Sequence, residues 1–213
     1  MGRMRKGILG GFVGKVGTVI GSQRSGMDII SSLPKKSSKA PTVLQSNQRE
    51  KFGLAVGFLQ PINELLKLGF KASDPRFSSF NLAIAHMLQN SIIGESGSYE
   101  LDYPKVLISK GELSPAWNAV AATSGASELS LTWSNATNSG MSNPDDEVFA
   151  LVYNADTKQH LMSISAATRA DGVLSIPLPN DFVGSEVQCW LAFTSKDKKQ
   201  RSTSIYAGAV TIV

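Results

Sequence analysis

The 213-residue sequence predicts an α+β protein with an N-terminal β-hairpin arm, a short antiparallel helical pair and a C-terminal antiparallel β-sandwich. Three observations predict this architecture. Residues 1–40 are basic and rich in glycine, residues 41–95 place apolar side chains at helical spacing, and residues 96–213 carry short β-branched runs separated by turn sequences. We therefore divide the chain into an arm (1–40), a helical segment (41–95) and a β-sandwich (96–213).

The arm is defined by its glycines. Seven of the twenty residues 7–26 are glycine, and none of the twenty is acidic. β-Branched residues on either side of the turn sequence Arg24-Ser25-Gly26 predict a β-hairpin of residues 16–23 and 27–32. Pro34 ends the hairpin, and the polar sequence that follows it is typical of a linker.

The helical segment begins with a capping signal. Thr42 is the predicted N-cap, and Gln45 three residues later completes a capping box. Pro61 should split the helix near Leu59, because proline cannot donate the hydrogen bond that a helix interior requires. Gly69 is a predicted helix end.

A further helix is predicted from Ser78 to Ile92 and is stopped by Gly94. Its apolar residues recur on one side, so we expect it to pack antiparallel to the preceding helix. These residues are Phe80, Ala83, Ile84, Met87 and Leu88.

The second half of the chain changes to a strand-and-turn pattern. Regularly spaced short strands separated by Asn, Asp, Gly and Pro favour a sandwich. The predicted strands are residues 99–102, 106–109, 117–122, 128–133, 147–154, 160–166, 172–177, 186–194 and 204–213.

Four of these runs carry a resemblance to a known fold. The sequences ELSLTWS, EVFALVYN, VQCWLAFTS and STSIYAGAVTIV resemble strands B, C, F and G of a fibronectin type III or immunoglobulin-like domain. Trp133, at the end of the B-like strand, fits the fibronectin type III pattern, whereas Cys189-Trp190 replaces the usual tyrosine of strand F. The resemblance covers roughly residues 100–213.

The whole chain also resembles an uncharacterised family of Bacteroidetes proteins of unknown function. The sequences that carry this resemblance are GGFVGKVGTVIGS in the arm, QSNQREKF and FLQPINELLKLGF in the helical segment, and the β-rich second half. The resemblance covers nearly the full length and implies no known activity.

Charge is distributed unevenly along the chain. Residues 1–51 hold ten basic and two acidic residues, whereas the remaining 162 residues hold 11 basic and 15 acidic ones. A basic arm on a mildly acidic body is typical of a nucleic-acid-binding arm. It is equally typical of subunits that attract one another head to tail.

These patterns give two sets of candidate site residues in the arm. Glycines between apolar residues allow a strand to lie flat against another chain, which predicts a subunit interface. Its residues are Ile8, Phe12, Gly14, Val16, Gly17, Val19 and Ile20. The alternative is a polyanion-binding site that neutralises phosphates with Arg3, Arg5, Lys6, Lys15 and Arg24.

Residue types needed for catalysis or metal binding are scarce. One cysteine (Cys189) and two distant histidines (His86 and His160) supply neither a thiolate metal cage nor a histidine-based triad. We expect Cys189 to be a buried core thiol. The sequence predicts no enzyme, no metal, no cofactor and no small-molecule substrate.

Phosphate-binding motifs are also incomplete. The glycines fit neither a P-loop nor a dinucleotide fingerprint. Gly14-Lys15-Val16-Gly17 matches the G-x-x-G loop of KH domains only weakly, because KH loops join helices and these flanks favour strands. The densest acidic sequence, Asp145-Asp146-Glu147, is predicted to be a solvated turn or an acidic patch that meets a basic arm.

Targeting signals are weak. The apolar stretch 8–20 is interrupted by Lys15 and lacks a cleavage sequence, and no run of 18 apolar residues is present. We expect a cytoplasmic protein without a membrane span, with release or export by another route open.

Three functions follow as hypotheses. The first is a structural protein that assembles with itself into a filament, tube or shell by inserting its arm into a neighbouring subunit. The second is a nucleic-acid-binding protein that uses the basic arm. The third is an adhesion or carbohydrate-binding module, which would need exposed aromatic residues at the sandwich ends, such as Trp117 or Tyr153.

Overall fold

The structure, a computed structural model, describes residues 3–4, 10–24, 26–35, 38–72, 74, 77–125, 127–135 and 141–212. It is mainly β, with three helices placed between the N-terminal strands and the C-terminal sandwich. The coarse order of strands, helices and strands therefore agrees with the α+β prediction.

The arm contains four short antiparallel strands in consecutive order: β1 (Arg3–Met4), β2 (Phe12–Val16), β3 (Val19–Arg24) and β4 (Met27–Ser32). Strands β3 and β4 pair across the turn at Gly26. The first strand of that hairpin begins later than predicted, at Val19. A turn at Gly17, whose φ of 60° is left-handed, separates residue 16 from it and places that residue in β2.

Three helices follow the linker: α1 (Val43–Leu59), α2 (Asn63–Gly69) and α3 (Ser79–Asn90). Thr42 caps α1, and both hydrogen bonds of the predicted capping box with Gln45 are present. The predicted split at Leu59 and the predicted end at Gly69 are both confirmed. Helix α3 packs against α1 and α2.

The last helix is shorter than predicted. Helix α3 ends at Asn90, and the next residues form the two-residue strand β5 (Ile92–Ile93), which pairs with β6 (Glu100–Leu101). Gly94 therefore lies after β5, at a φ of 95°, rather than at the end of the helix.

Seven strands build the sandwich in two sheets. One sheet has the order β10-β9-β12-β13 and the other β11-β8-β7. The strands are β7 (Trp117–Gly125), β8 (Glu128–Ser134), β9 (Glu147–Asn154), β10 (Gln159–Thr168), β11 (Val173–Pro177), β12 (Glu186–Thr194) and β13 (Ile205–Thr211).

The strand predicted at residues 106–109 is absent. This segment is largely buried but belongs to no sheet, and its backbone amides are hydrogen-bonded to a side chain instead. The Ser204 hydroxyl accepts hydrogen bonds from the amides of Ile108 (3.0 Å) and Ser109 (3.4 Å). The Ser109 hydroxyl donates to the carbonyl of Ser202 at 2.6 Å. The apolar β-branched residues here thus indicated a buried segment rather than a strand. Hydrogen bonds to side chains satisfy its backbone amides in place of a neighbouring strand.

Strands β9 and β12 are buried on both faces. Alternate residues of these strands, including Val152 and Leu191, pack in the core between the two sheets. The residues between them, including Leu151 and Trp190, pack in a second core formed with the helices. The order of layers is therefore helices, four-stranded sheet and three-stranded sheet, and the helical segment shares its core with the sandwich.

The acidic sequence at 145–147 is not the solvated turn that was predicted. Asp146 is 1% exposed and accepts a 3.0 Å hydrogen bond from the Arg169 guanidinium, which also donates to the Ser114 carbonyl at 2.8 Å. The guanidinium lies over the Phe193 ring, 3.8 Å from its centre. Only Asp145 behaves as a solvated residue, since its side chain is 77% exposed.

Candidate interaction surfaces on the arm and the helical layer

The arm is held together from within. The hydrogen bonds of the described residues 10–24 and 26–35 lie inside the arm, either in the ladders of β1 to β4 or locally, as from the Leu33 amide to the Thr18 carbonyl (2.9 Å). Among the described elements, the strands of the arm contact chiefly one another. A small sheet without a covering layer has little core of its own, because an apolar face needs a partner layer to bury it. The arm is therefore a poor independent folding unit.

One face of the arm is lined by glycine and aliphatic residues. Cross-strand pairing aligns Gly14 of β2, Gly21 of β3 and Ile30 of β4, and places Val16 opposite Val19. Residues directly opposite one another in a sheet share a face. We call this surface the glycine face.

The glycine face presents its apolar side chains to solvent. Ile30 is 66% exposed and Val16 is 51% exposed. Phe12 covers the centre of the sheet: a Cβ added at Gly21 would stand 2.6 Å from its ring and 2.1 Å from its carbonyl oxygen. Glycine at position 21 thus permits the close approach of β2 and β3 within the arm itself.

The opposite face carries the basic residues. Lys15 pairs with Ile20 across β2 and β3, and Arg24 pairs with Met27 across β3 and β4. Both cationic side chains are exposed, and neither forms an ion pair within the described chain. The same face also carries the exposed apolar side chains of Val13, Met27 and Ile29, so both faces of the arm are partly apolar and the described cations lie on one of them.

The described residues of the predicted interface fall into three groups. Phe12, Gly14, Val16 and Val19 belong to β2 and β3 at or near the glycine face, whereas Ile20 is on the basic face. Gly17 is in the turn between these strands, where nothing lies within 4 Å of an added Cβ. Ile8 lies outside the described residues.

The predicted polyanion-binding residues are only partly described. Arg3 is in β1 opposite Val13, and its side chain is outside the description, as are Arg5 and Lys6. Lys15 and Arg24 share the basic face. The G-x-x-G sequence lies at the end of β2 and in the turn that follows it, not between two helices, so it is not a KH loop.

An apolar groove opens on the helical layer, between α1, α2 and the start of α3. It encloses about 790 Å³ and has exposed aromatic residues at its rim, with Phe52 48% and Phe77 54% exposed. Most of its exposed surface is apolar, although five of its ten lining residues are polar. The groove residues are Phe52, Val56, Gln60, Asn63, Lys67, Ala72, Phe77, Ser78, Ser79 and Phe80.

The sequence did not predict this groove, because Phe52, Ala55, Val56 and Leu59 recur at helical spacing and were taken together as one apolar face. The structure buries Ala55, Phe58 and Leu59 and leaves Phe52 and Val56 at the groove. One feature of the sequence could have indicated the groove: α1 carries more apolar residues than a single buried helix face can cover.

Side chains with potential for chemistry are buried in the core. The prediction for Cys189 is confirmed, since it is 0% exposed and burial raises its pKa to about 12. His160 contacts the rings of Phe58 and Tyr153, with ring centres 5.2 and 4.6 Å away. Across the described residues, no three His, Cys, Asp or Glu side chains are grouped as metal ligands.

The aromatic residues required by the carbohydrate hypothesis do not act together. Trp117 is 54% exposed, but Tyr153 is buried beneath the helices and is unavailable to a ligand at the sandwich end. Of the helices in the described ranges, none has the length and apolar character needed to cross a bilayer.

A comparison with solved structures finds similarity to fibronectin type III domains. The fn3 domain of the human collagen alpha-1(XX) chain matches with 11% identity and a TM-score of 0.33, covering 47% of this chain and 86% of that one. The twitchin kinase region from C. elegans matches with 16% identity and a TM-score of 0.36, covering 48% and 17%. The chicken CNTN1 FN1–FN3 domains match with 8% identity and a TM-score of 0.32, covering 48% and 33%.

Each of these matches covers about half of this chain. No curated protein matches the chain. The model of a family of unknown function (DUF6266) matches residues 11–208.

Proposed function

This chain belongs to that family of unknown function, and we propose that it is a non-enzymatic structural protein that assembles with itself through its N-terminal arm. The observation that carries the proposal is the glycine face, an apolar sheet surface with Ile30 and Val16 more than half exposed and no hydrogen bond to its own body among the described residues. Such a face is stabilised when a second layer covers it.

We further propose that the glycine face packs over the apolar groove of a neighbouring copy. Both surfaces are apolar, and their sparse charges complement one another. Lys67 lines the groove, while Asp28 lies two residues from Ile30 in β4 and so shares its face. Ten linker residues (33–42) reach up to about 35 Å, enough to carry the arm away from its own body.

A contact between two different surfaces of the same chain is heterologous. Repeated around an axis it closes a ring, and without closure it produces a filament or tube. The basic arm and acidic body would favour this head-to-tail arrangement through complementary charge.

The test compares the full chain with one lacking residues 1–33, by light scattering and negative-stain microscopy. We expect regular particles or filaments from the full chain. The shortened chain should be a monomer whose thermal unfolding midpoint is unchanged, because the body core does not include the arm. A monomeric full chain would overturn the proposal, including the case where the arm folds back on its own groove.

Point variants locate the contact. Ile30→Asp on the glycine face and Phe52→Asp at the groove should each abolish particles. Ser31→Asp is the matched control, because it adds the same charge one residue along β4 on the opposite face. Particles that survive both Ile30→Asp and Phe52→Asp would contradict this pairing of surfaces.

The second candidate function, nucleic-acid binding by the arm, is favoured by the exposed and unpaired Lys15 and Arg24 on one face. Phosphate contacts of this kind weaken steeply with salt. Two results would support it: binding of an oligonucleotide to the parent chain that weakens steeply between about 50 and about 200 mM salt, and loss of that binding in Lys15→Gln/Arg24→Gln.

A further inference from the structure

A basic cleft lies where three segments of the body meet: the end of α2, the irregular crossing at 108–112 and the loop between β12 and β13. It has a volume of about 310 Å³ and adjoins a second hollow of about 310 Å³ beside α3. The two share Lys71 and Lys110. The cleft is lined by Lys71, Lys110, Gly111, Glu112, Lys199, Gln200 and Arg201, and the hollow also by Phe70, Leu82, Ala85, His86 and Gln89.

The backbone around the cleft is tightly fixed. The Lys110 amide donates to the Gly69 carbonyl at 3.0 Å, and the Leu113 amide donates to the Arg201 carbonyl at 2.9 Å. A Cβ at Gly111 would stand 2.1 Å from the Arg201 carbonyl oxygen, so glycine is needed there for the two segments to touch. The cationic side chains therefore project from a scaffold whose position is determined before any ligand binds.

Positive charge in the cleft is only partly neutralised. Lys71 and Lys110 form no ion pair within the described chain, and Glu112 is the single acidic residue of the lining. Lys199 is 3.5 Å from Asp197, a mostly exposed pair of small energetic weight. The lining thus carries four cations against one carboxylate.

Arg201 is the most informative of these cations. It is 7% exposed, yet within the described chain its guanidinium donates only to the backbone carbonyls of Lys198 (3.2 Å) and Lys199 (2.9 Å). Burial lowers the pKa of Arg201, and no carboxylate in the described chain offsets that cost. A buried cation without a counter-charge is stabilised by an anion, so the cleft favours a negatively charged ligand.

We propose that this cleft binds a phosphate-bearing ligand with two or more negative charges, either a free phosphorylated molecule or the phosphates of a nucleic-acid strand. Lysines bind phosphate as point charges, and an arginine fork adds directed hydrogen bonds. Two adjoining hollows that share two lysines suit successive phosphates. The site is separate from the arm and stands whether or not the chain assembles.

The test titrates the full chain with pyrophosphate and with a single-stranded octanucleotide, by calorimetry at 50 mM salt. Lys71→Gln/Lys110→Gln should weaken pyrophosphate binding at least tenfold. Lys15→Gln/Arg24→Gln removes the same charge from the arm and should weaken it less than twofold. Equal losses in the two variants, or no saturable binding, would overturn the proposal.

The ligand source and position are separated by two readouts. If the octanucleotide binds and pyrophosphate displaces it, the site binds a nucleic-acid backbone. If pyrophosphate binds and the octanucleotide does not, the site binds a small phosphorylated molecule. Burial and the Lys110 charge lower the pKa of His86 at the hollow. Pyrophosphate should therefore raise the His86 pKa in an NMR titration and leave His160 unchanged. A His86 pKa that does not move would place the anion elsewhere and overturn the proposal.

Discussion

The arm and the body bury their apolar residues in opposite ways. In the body, strands β9 and β12 are covered by a sheet on one side and helices on the other, so side chains such as Trp190 and Phe193 are 0% exposed. In the arm, β4 is exposed along its whole length. Similar β-branched sequences thus give a core in one region and an uncovered surface in the other, because only the body supplies layers on both sides.

This difference indicates which region of the chain determines its free energy of unfolding. Free energy of unfolding comes mainly from apolar area removed from water, so the body should determine it while the arm contributes little. The arm is then free to bury its surface against another molecule. Each of the following experiments tests this division.

The largest effect is expected from Trp190→Ala. Trp190 joins the helices to the sheet, with its ring against Phe58 and its indole donating to the Tyr103 carbonyl at 3.3 Å. Removing a fully buried aromatic side chain costs about 4 kcal/mol of unfolding free energy. Urea denaturation, followed by circular dichroism, should show one transition at lower urea. Separate transitions for helices and sandwich would contradict the shared core, and Trp117→Ala is the exposed control.

A somewhat smaller loss is expected from Asp146→Ala. The substitution leaves the Arg169 guanidinium buried without its carboxylate, which costs about 3 kcal/mol. Asp145→Ala removes the neighbouring acid from an exposed contact with Lys196 (4.0 Å) and should change stability by less than about 0.5 kcal/mol. The unfolding free energies of the two variants, measured at one pH, test this difference. Equal values would show that the buried ion pair stabilises the protein no more than the exposed one.

The smallest effect is a change in pH dependence. Burial lowers the pKa of His160 below its ordinary 6.5, opposed in part by a hydrogen bond to the Phe58 carbonyl. The unfolded chain therefore takes up the proton first as the pH falls, so unfolding free energy decreases below about pH 6.5.

His160→Phe keeps a ring beside Phe58 and Tyr153 and removes the titration. Its loss of stability between pH 7.5 and 5.5 should be smaller than that of the parent chain. Some dependence remains, because burial also lowers the pKa of His86. An unchanged pH profile would show that His160 is protonated equally in both states.

Local signals in the sequence predicted the elements well. The strands at 147–154 and 186–194 have the predicted bounds, and the capping box at Thr42 and the break before Pro61 were also correct. These features depend on residues a few positions apart, such as a side chain that caps its own helix or a proline that cannot donate. Where the prediction failed, at 106–109, a partner almost a hundred residues away supplied the hydrogen bonds.

What the sequence by itself determined was the kind and order of elements, the family resemblance and the basic character of the arm. The continuous apolar runs of β9 and β12 even carried the information that both faces would be buried, since alternation is lost when a sheet is covered twice. Only the tertiary structure decided that helices cover that sheet, that Asp146 pairs with Arg169, and that Lys71, Lys110 and Arg201 line one cleft. The physical reason is distance along the chain: periodicity and capping are local, whereas ion pairs, grooves and clefts are made by segments that meet only when the chain folds.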